Sequence, residues 1–201
     1  MSPRVVDWAA RRRAVAEAVF RVAVRDGVEQ ASLRNVALEA GLSVGSVRHY
    51  LGSHEDMIAF AVEALVRSIE QRVLSRVRSF ADRTDSDSLV EHVLSEVLPL
   101  DDRRRHEAVL WLTFAVAART RPALLPHAER LYDGLRTLCH RVLTMMSEHS
   151  GAMPDDLDLT LEAQRLSSLL NGLLVNGVQH PDRMTPELSL SLLRRHIDSL
   201  T

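Results

Sequence analysis

The 201-residue sequence predicts an all-α protein of about nine helices, and three observations carry that prediction. Hydrophobic residues recur at i, i+3, i+4 and i+7 along the chain, the spacing of helices that bury one face. No run alternates β-branched and polar residues as a half-buried strand does. The chain is 46% hydrophobic but only 4% aromatic, so its core is aliphatic and suits close helix packing.

The elements follow in order. The first helix is predicted from Trp8 to Asp26. Val15, Ala16, Val19, Phe20 and Ala23 line one face, and Gly27 fits a left-handed stop. Ser32 is a good N-cap for a second helix with an inner stripe of Leu33, Val36, Ala37 and Ala40. Gly41 tolerates the positive φ of a short turn. Ser43 caps a third helix of barely two turns, with Val47 and Leu51 inward. Ser53 opens a fourth that runs to about Phe80, with Asp56 in its third position as in a shortened capping box.

The polar stretch Asp82–Ser88 reads as a loop. Leu89, Val90, Val93, Leu94 and Val97 mark a fifth helix, stopped by Pro99. A strongly apolar sixth spans about Asp101 to Arg119. Pro122 and Pro126 punctuate entry into a seventh carrying Leu131, Tyr132, Leu135, Leu138, Val142 and Met145. After Ser150-Gly151 and Pro154, an eighth runs from about Leu157 to Gln179. The ninth starts at Thr185 with Pro186 in its first position, and carries Leu188, Leu192, Leu193, Ile197 and Leu200.

Residues 32–57 therefore form two short helices, a tight turn between them, and the start of a third helix. This is the layout of a helix-turn-helix, whose second helix enters the DNA major groove. Ala37, Ala40, Gly45 and Val47 offer small or aliphatic inner faces for close packing. The outer face of the third helix presents Val44, Ser46, Arg48 and His49. Arg48 can donate two hydrogen bonds to guanine, and Val44 can meet a thymine methyl. His49 can reach a phosphate or a base edge. The rim supplies phosphate donors: Arg34, Tyr50 and His54, with Ser32, Ser43 and Ser53 at helix N-termini where backbone amides also face anions.

Charge supports the same end of the chain. The formal net charge is −2, yet over residues 1–50 eight arginines face five acids, a net of +3 that leaves −5 for the rest. Such asymmetry suits a nucleic-acid-binding end. All basic charge is arginine, which favours bidentate phosphate and guanine contacts, although GC-rich coding is the plainer origin of that composition. Arg11-Arg12-Arg13 reads either as a backbone-reaching cluster or as a solvated helix face. Cys139 is the only cysteine, so neither an internal disulfide nor a thiolate zinc site is expected. No stretch approaches the roughly 18 apolar residues of a membrane span, and a cytoplasmic, soluble protein is expected.

Residues 10–60 resemble the N-terminal domain of the tetracycline-repressor family of bacterial transcription regulators. The residues that carry the likeness are Phe20, Gly27, then Ser32-Leu33-Arg34-x-Val36-Ala37-x-x-Ala40-Gly41-Leu42-Ser43-x-Gly45-x-Val47-x-His49-Tyr50, then Ser53-x-Glu55-x-Met57. The stretch Leu169-Leu170-Asn171-Gly172-Leu173 and the segment from Thr185-Pro186-Glu187 to Arg194-Arg195-His196-Ile197-Asp198 are loosely similar to the C-terminal domain of the betaine-choline regulator branch. Family members often carry an aromatic at Arg48, lysine at Val44 and His54, and Phe at Leu51, so no operator sequence is carried over.

The resemblance implies a helix-turn-helix DNA-binding domain over 1–54 and a helical ligand-binding and dimerisation domain over 55–201. It implies a homodimeric repressor on double-stranded DNA that leaves a palindromic operator when a small-molecule effector binds. Two-fold symmetry would set the half-sites roughly 34 Å apart. Leu166, Leu170, Leu173, Leu174 and Val178 of the eighth helix, with Leu188, Leu192 and Ile197 of the ninth, form either an internal core or the implied four-helix interface. Asn171, Gly172, Asn176 and Gly177 would let helices approach closely there.

An effector pocket is expected between the fourth helix and those at 101–119, 124–147 and 157–179. Trp111, Phe114, Tyr132 and Met145 would form walls; His106, Glu107, His127, Asn171 and Asn176 would supply polar contacts. Each reads first as plain core or surface and only second as an effector contact. A scarcity of buried acids favours an apolar or aromatic effector over a polycation.

Two other function classes compete with this reading. A helical-bundle enzyme would show Glu-x-x-His pairs on one helix face, but Glu91-His92, His106-Glu107 and Glu148-His149 are adjacent, so no metal or cofactor is expected. A helix-turn-helix regulator without a small-molecule ligand stays open.

Overall fold

The computed structural model describes residues 8–26, 30–80, 86–150, 153–154 and 156–200. Among them lie α1 (Trp8–Asp26), α2 (Leu33–Ala40), α3 (Val44–Leu51), α4 (His54–Phe80), α5 (Ser86–Ser95), α6 (Asp102–Ala118), α7 (Leu125–Ser150), α8 (Leu159–Gln179) and α9 (Pro186–Asp198), and no strand. Gly27 and residues 82–85 of the expected loop lie outside the described residues. α5 starts at Ser86 rather than Leu89, because serine and aspartate are favoured at a helix start.

Local chemistry sets the helix ends. Asp101 Oδ1 accepts the amide of Arg104 at 2.8 Å and caps α6. Asp158 Oδ1 accepts the amides of Thr160 and Leu161 to cap α8. Thr185 Oγ1 accepts from Leu188, with Pro186 following as the first residue of α9.

The chain divides into two compact units. The first comprises the chain up to Arg67 together with Leu110–Ala128; the second comprises Ser68–Val109 and the chain from Glu129 onward. The boundary expected at 54/55 follows the motif, whereas the packing boundary falls inside α4. A three-helix head is too small to bury a sufficient core alone. In the first unit α1 packs on α2 and α3, burying Val15, Ala18, Val19 and Val22 with Val36, Ala37, Val47 and Leu51. The unit also buries Met57, Ile58 and Val62 of α4 and Leu110, Phe114 and Leu124. Phe20, expected inward, is half-buried; Ala18 and Val22 complete the α1 face instead.

In the second unit α5 and α8 pack on α9 around Val90, Leu94, Leu166, Leu170, Leu193 and Ile197. Gly177 lies against Pro99: a Cβ there would sit 2.7 Å from the proline Cγ. Its small size therefore serves this chain's own packing. Buried acids are not scarce, contrary to the sequence reading: Glu96 is 3% exposed, and Glu107 and Glu162 are each 7% exposed.

Arginines neutralise all three. Arg72 donates through Nη1 and Nη2 to Glu107 Oε1 and Oε2 at 3.0 and 2.6 Å, and through Nε to Glu96 Oε2 at 3.0 Å. Arg76 Nε reaches Glu96 Oε1 at 2.7 Å, and Arg165 Nη1 reaches Glu162 Oε1 at 2.9 Å. Burial alone would raise the Glu96 pKa, but Arg76, Arg104 and Arg72 together hold it below the usual carboxylate range.

Candidate nucleic-acid interface

Capping and turn geometry build the α2–α3 segment. Ser32 Oγ accepts the Asn35 amide at 3.2 Å and starts α2. Gly41 ends it in the left-handed region at φ +64°, and the Leu42 amide donates back to the Ala37 carbonyl at 2.9 Å. Ser43 Oγ accepts the Ser46 amide at 3.1 Å and starts α3.

The end of α3 relies on a residue the sequence reading passed over. Gly52 sits at φ +77°, ψ −125°, a conformation open in practice only to glycine. A Cβ there would meet Asp56 Oδ2 at 2.7 Å. That carboxylate accepts the Ser53 amide at 2.9 Å and the Ser53 hydroxyl at 2.7 Å, while Ser53 Oγ accepts the Asp56 amide. This is the capping box expected at the start of α4, and hydrogen bonds from the Ser53 hydroxyl and then its amide lower the Asp56 pKa.

α3 is anchored by Val47 and Leu51, both buried. Its other side exposes Val44, at 40%, with Arg48 and His49; Ser46 and Tyr50 are half-buried. The His49 and Tyr50 rings lie 5.9 Å apart at 56°. Ser43, Ser53 and Arg34 are exposed, and Ser32 is half-buried. The side chain of His54 lies outside the described residues. Gly45 was expected on the inner face, yet it is exposed, and a Cβ there would meet only Ser43 Oγ at 3.9 Å. The α2–α3 contact is close without it because Ala37 and Val47 are buried.

The arginines of this unit are not equivalent. Glu39 binds Arg21 Nε at 2.7 Å and Arg25 Nη1 at 2.9 Å, and Arg25 also pairs with Asp26. Hydrogen bonds from Arg21 and then Arg25 lower the Glu39 pKa. Arg34 and Arg48, by contrast, make no ion pair among the described residues, and Arg11 and Arg13 are exposed on α1. The Arg12 side chain lies outside the described residues. The role of Glu39 was missed because only the fold brings it beside α1.

The candidate effector residues fall in both units. In the first, Phe114 is fully buried, and Trp111 and His127 are half-buried. In the second, His106 and Asn176 are exposed, Met145 and Asn171 are half-buried, and Tyr132 is half-exposed with its hydroxyl donating to Gln164 Oε1 at 3.0 Å. Asn176 Nδ2 donates to the Gly172 carbonyl of its own helix. Glu107 is committed to Arg72, which removes it as a free acceptor for an effector.

The candidate dimer residues also separate. Leu166, Leu170, Leu173, Leu174 and Ile197 are buried inside this chain, so they have little surface left for a partner. Val178 is half-buried, whereas Leu188 and Leu192 are 42% and 37% exposed. Leu161, which the sequence reading did not select, is 61% exposed on α8. Among the described residues, no cluster of three or more His, Cys, Asp or Glu side chains suits a metal ion, and no helix is long and apolar enough to cross a membrane.

Residues 87–201 match the family described as BetI-type transcriptional repressor, C-terminal. The chain is 28% identical to the HTH-type transcriptional regulator PksA of Bacillus subtilis, over 98% of this chain and 93% of that protein. It is 26% identical to the HTH-type transcriptional regulator BetI of Stenotrophomonas maltophilia, over 94% of this chain and 91% of that one. Among solved structures it is similar to a transcriptional regulator from Rhodococcus sp. Rha1, with a TM-score of 0.79 and 29% identity, covering 94% of this chain and 95% of that one.

Proposed function

We propose, for a chain that belongs to the tetracycline-repressor family of transcriptional regulators and to its BetI-type branch, that α3 reads base edges in the major groove and that α2 and the start of α4 bind the flanking phosphates. The observation that carries this reading is the contrast on the first unit's surface. Arg34 and Arg48 stand exposed and without ion pairs among the described residues, beside Val44 and His49, while Arg21 and Arg25 are neutralised by Glu39 and Asp26. Residues 1–54 are the DNA-binding segment in this proposal, and 55–201 serve effector binding and dimerisation.

The dimer face we assign is the exposed part of α8 and α9: Leu161, Leu188 and Leu192, with Gly172 open to solvent. A two-fold pair of such chains calls for a palindromic operator with half-sites roughly 34 Å apart. The effector is proposed to be apolar or aromatic. The buried carboxylates of the second unit are each held by an arginine, so none is left to neutralise a polycation.

The test is a fluorescence-anisotropy titration on duplexes selected from a random pool by the full chain. Arg48→Ala should cost about 1–3 kcal/mol of binding and relax preference at one base pair. Equal affinity and equal preference for wild type and variant would overturn the assignment of α3.

A further inference from the structure

We infer that Ser43 and Ser46 work as a coupled pair: a DNA phosphate bound by Ser43 turns Ser46 into an acceptor, so that α3 requires the amino base, cytosine or adenine, on the strand facing Ser46. This rests on the groove-reading role proposed for α3 and adds to it a residue and a polarity.

Proton counting carries the argument. The two hydroxyl oxygens lie 2.8 Å apart, and one proton must occupy the line between them. Ser43 Oγ also accepts the Ser46 amide at 3.1 Å, which occupies one of its two lone pairs. Ser43 is exposed, and Ser46 lies between Val44 and Arg48 on the same two-turn helix. Without DNA the bridging proton can belong to either serine. A phosphate oxygen only accepts, so a phosphate against Ser43 takes its hydrogen bond from the Ser43 hydroxyl. The bridging proton must then come from Ser46, and Ser43 receives it on its remaining lone pair.

Ser46 then faces the groove with lone pairs alone. The only hydrogen-bond donors along the major-groove edges are cytosine N4 and adenine N6. Guanine O6 and thymine O4 would place acceptor against acceptor. The base preference at this position is thus set by a backbone contact made one helical turn away.

The experiment incubates the full-length chain with a random-sequence duplex pool and sequences the bound fraction. It compares wild type with Ser46→Ala, Ser43→Gly and Ser43→Thr. Glycine serves as an N-cap within a few tenths of a kcal/mol of serine, so Ser43→Gly keeps α3 while removing the hydroxyl. Wild type should favour C or A at one position per half-site by roughly three- to tenfold, the value of one hydrogen bond. Ser46→Ala should flatten that position alone. Ser43→Gly should flatten the same position and weaken all duplexes, and Ser43→Thr should keep the preference.

An unchanged profile in Ser46→Ala, or a wild-type preference at the position that variant loses that sorts purine from pyrimidine or A·T from G·C instead of C and A from G and T on one strand, overturns the inference while leaving the α3 reading intact. A Ser43→Gly protein that keeps the C or A preference overturns the coupling. A wild-type protein that enriches no sequence overturns both readings together.

Discussion

The two units use arginine in opposite ways. In the second unit Arg72 is mostly buried across Glu96 and Glu107, and its charge is consumed inside the fold. In the first, Arg34 and Arg48 stand exposed without ion pairs among the described residues. With no lysine in the chain, residue type alone cannot tell a structural cation from a recognition cation. The deciding quantity is whether a carboxylate lies within reach in the folded state, since a buried charge persists only when paired.

The largest expected effect breaks the buried side of this contrast. Arg72→Met takes the bidentate partner from buried Glu107, leaving it only the exposed Arg103, and one arginine from Glu96, and should destabilise the protein by about 3–5 kcal/mol in urea unfolding, because a buried pair that loses one partner is strongly destabilised. Arg48→Ala should move stability by no more than about 0.5 kcal/mol, as exposed substitutions do. Similar losses for the two would erase the distinction.

Next comes Gly52→Ala. The α3–α4 corner that carries the proposed recognition surface depends on backbone geometry, so a side chain at this φ and ψ should destabilise it by about 1–3 kcal/mol and displace Asp56 from its capping role. A thermal midpoint equal to wild type would show that the α3–α4 corner tolerates a Cβ.

Acid should weaken the second unit in two stages. Burial, then the nearby Arg165, lowers the His196 pKa, with Glu162 opposing. The unfolded chain thus takes up this proton more readily than the folded one. Stability is full above the ordinary histidine value of about 6.5 and declines as pH falls through and below it. Glu96 and Asp101, both with lowered pKa, add a further loss as pH falls below about 4.5. Replacing His196 with Gln should flatten the first stage of a urea-midpoint series against pH; an unaltered slope would contradict it.

The smallest effect sharpens the exposed side. Glu39→Gln frees Arg21, while Arg25 keeps Asp26, and should steepen the log–log salt dependence of DNA binding by up to about one, the value of one added phosphate contact. A slope identical to wild type would mean that Arg21 lies beyond reach of the duplex.

Local chemistry was legible in the sequence. Ser32, Ser43, Ser53 with Asp56, and Thr185 all cap helices as read, because each bond joins residues three apart. Val47 and Leu51 face inward, since a two-turn helix has one apolar edge. Long-range pairing was not legible. Glu96 and Glu107 look like surface acids until α4 brings Arg72 against them. The leucines of α8 show an apolar stripe, but only the packing of α9 decides that Leu166 and Leu170 are internal while Leu188 and Leu192 are not. Gly177 gave no sign of Pro99, and Gly45 looked like a packing glycine although it is exposed and a Cβ there would touch only Ser43 Oγ.

Cys139 is fully buried, and burial pushes its thiol pKa up to about 12. A thiol that stays protonated and shielded ignores maleimides and spin-label reagents at neutral pH. The native chain is therefore a silent background for site-directed labelling. A cysteine introduced at solvent-facing Leu38 of α2 would be the sole reactive handle, and a fluorophore or nitroxide there would report, for the proposed dimer, the separation of its two α2 helices in solution without first deleting a native residue.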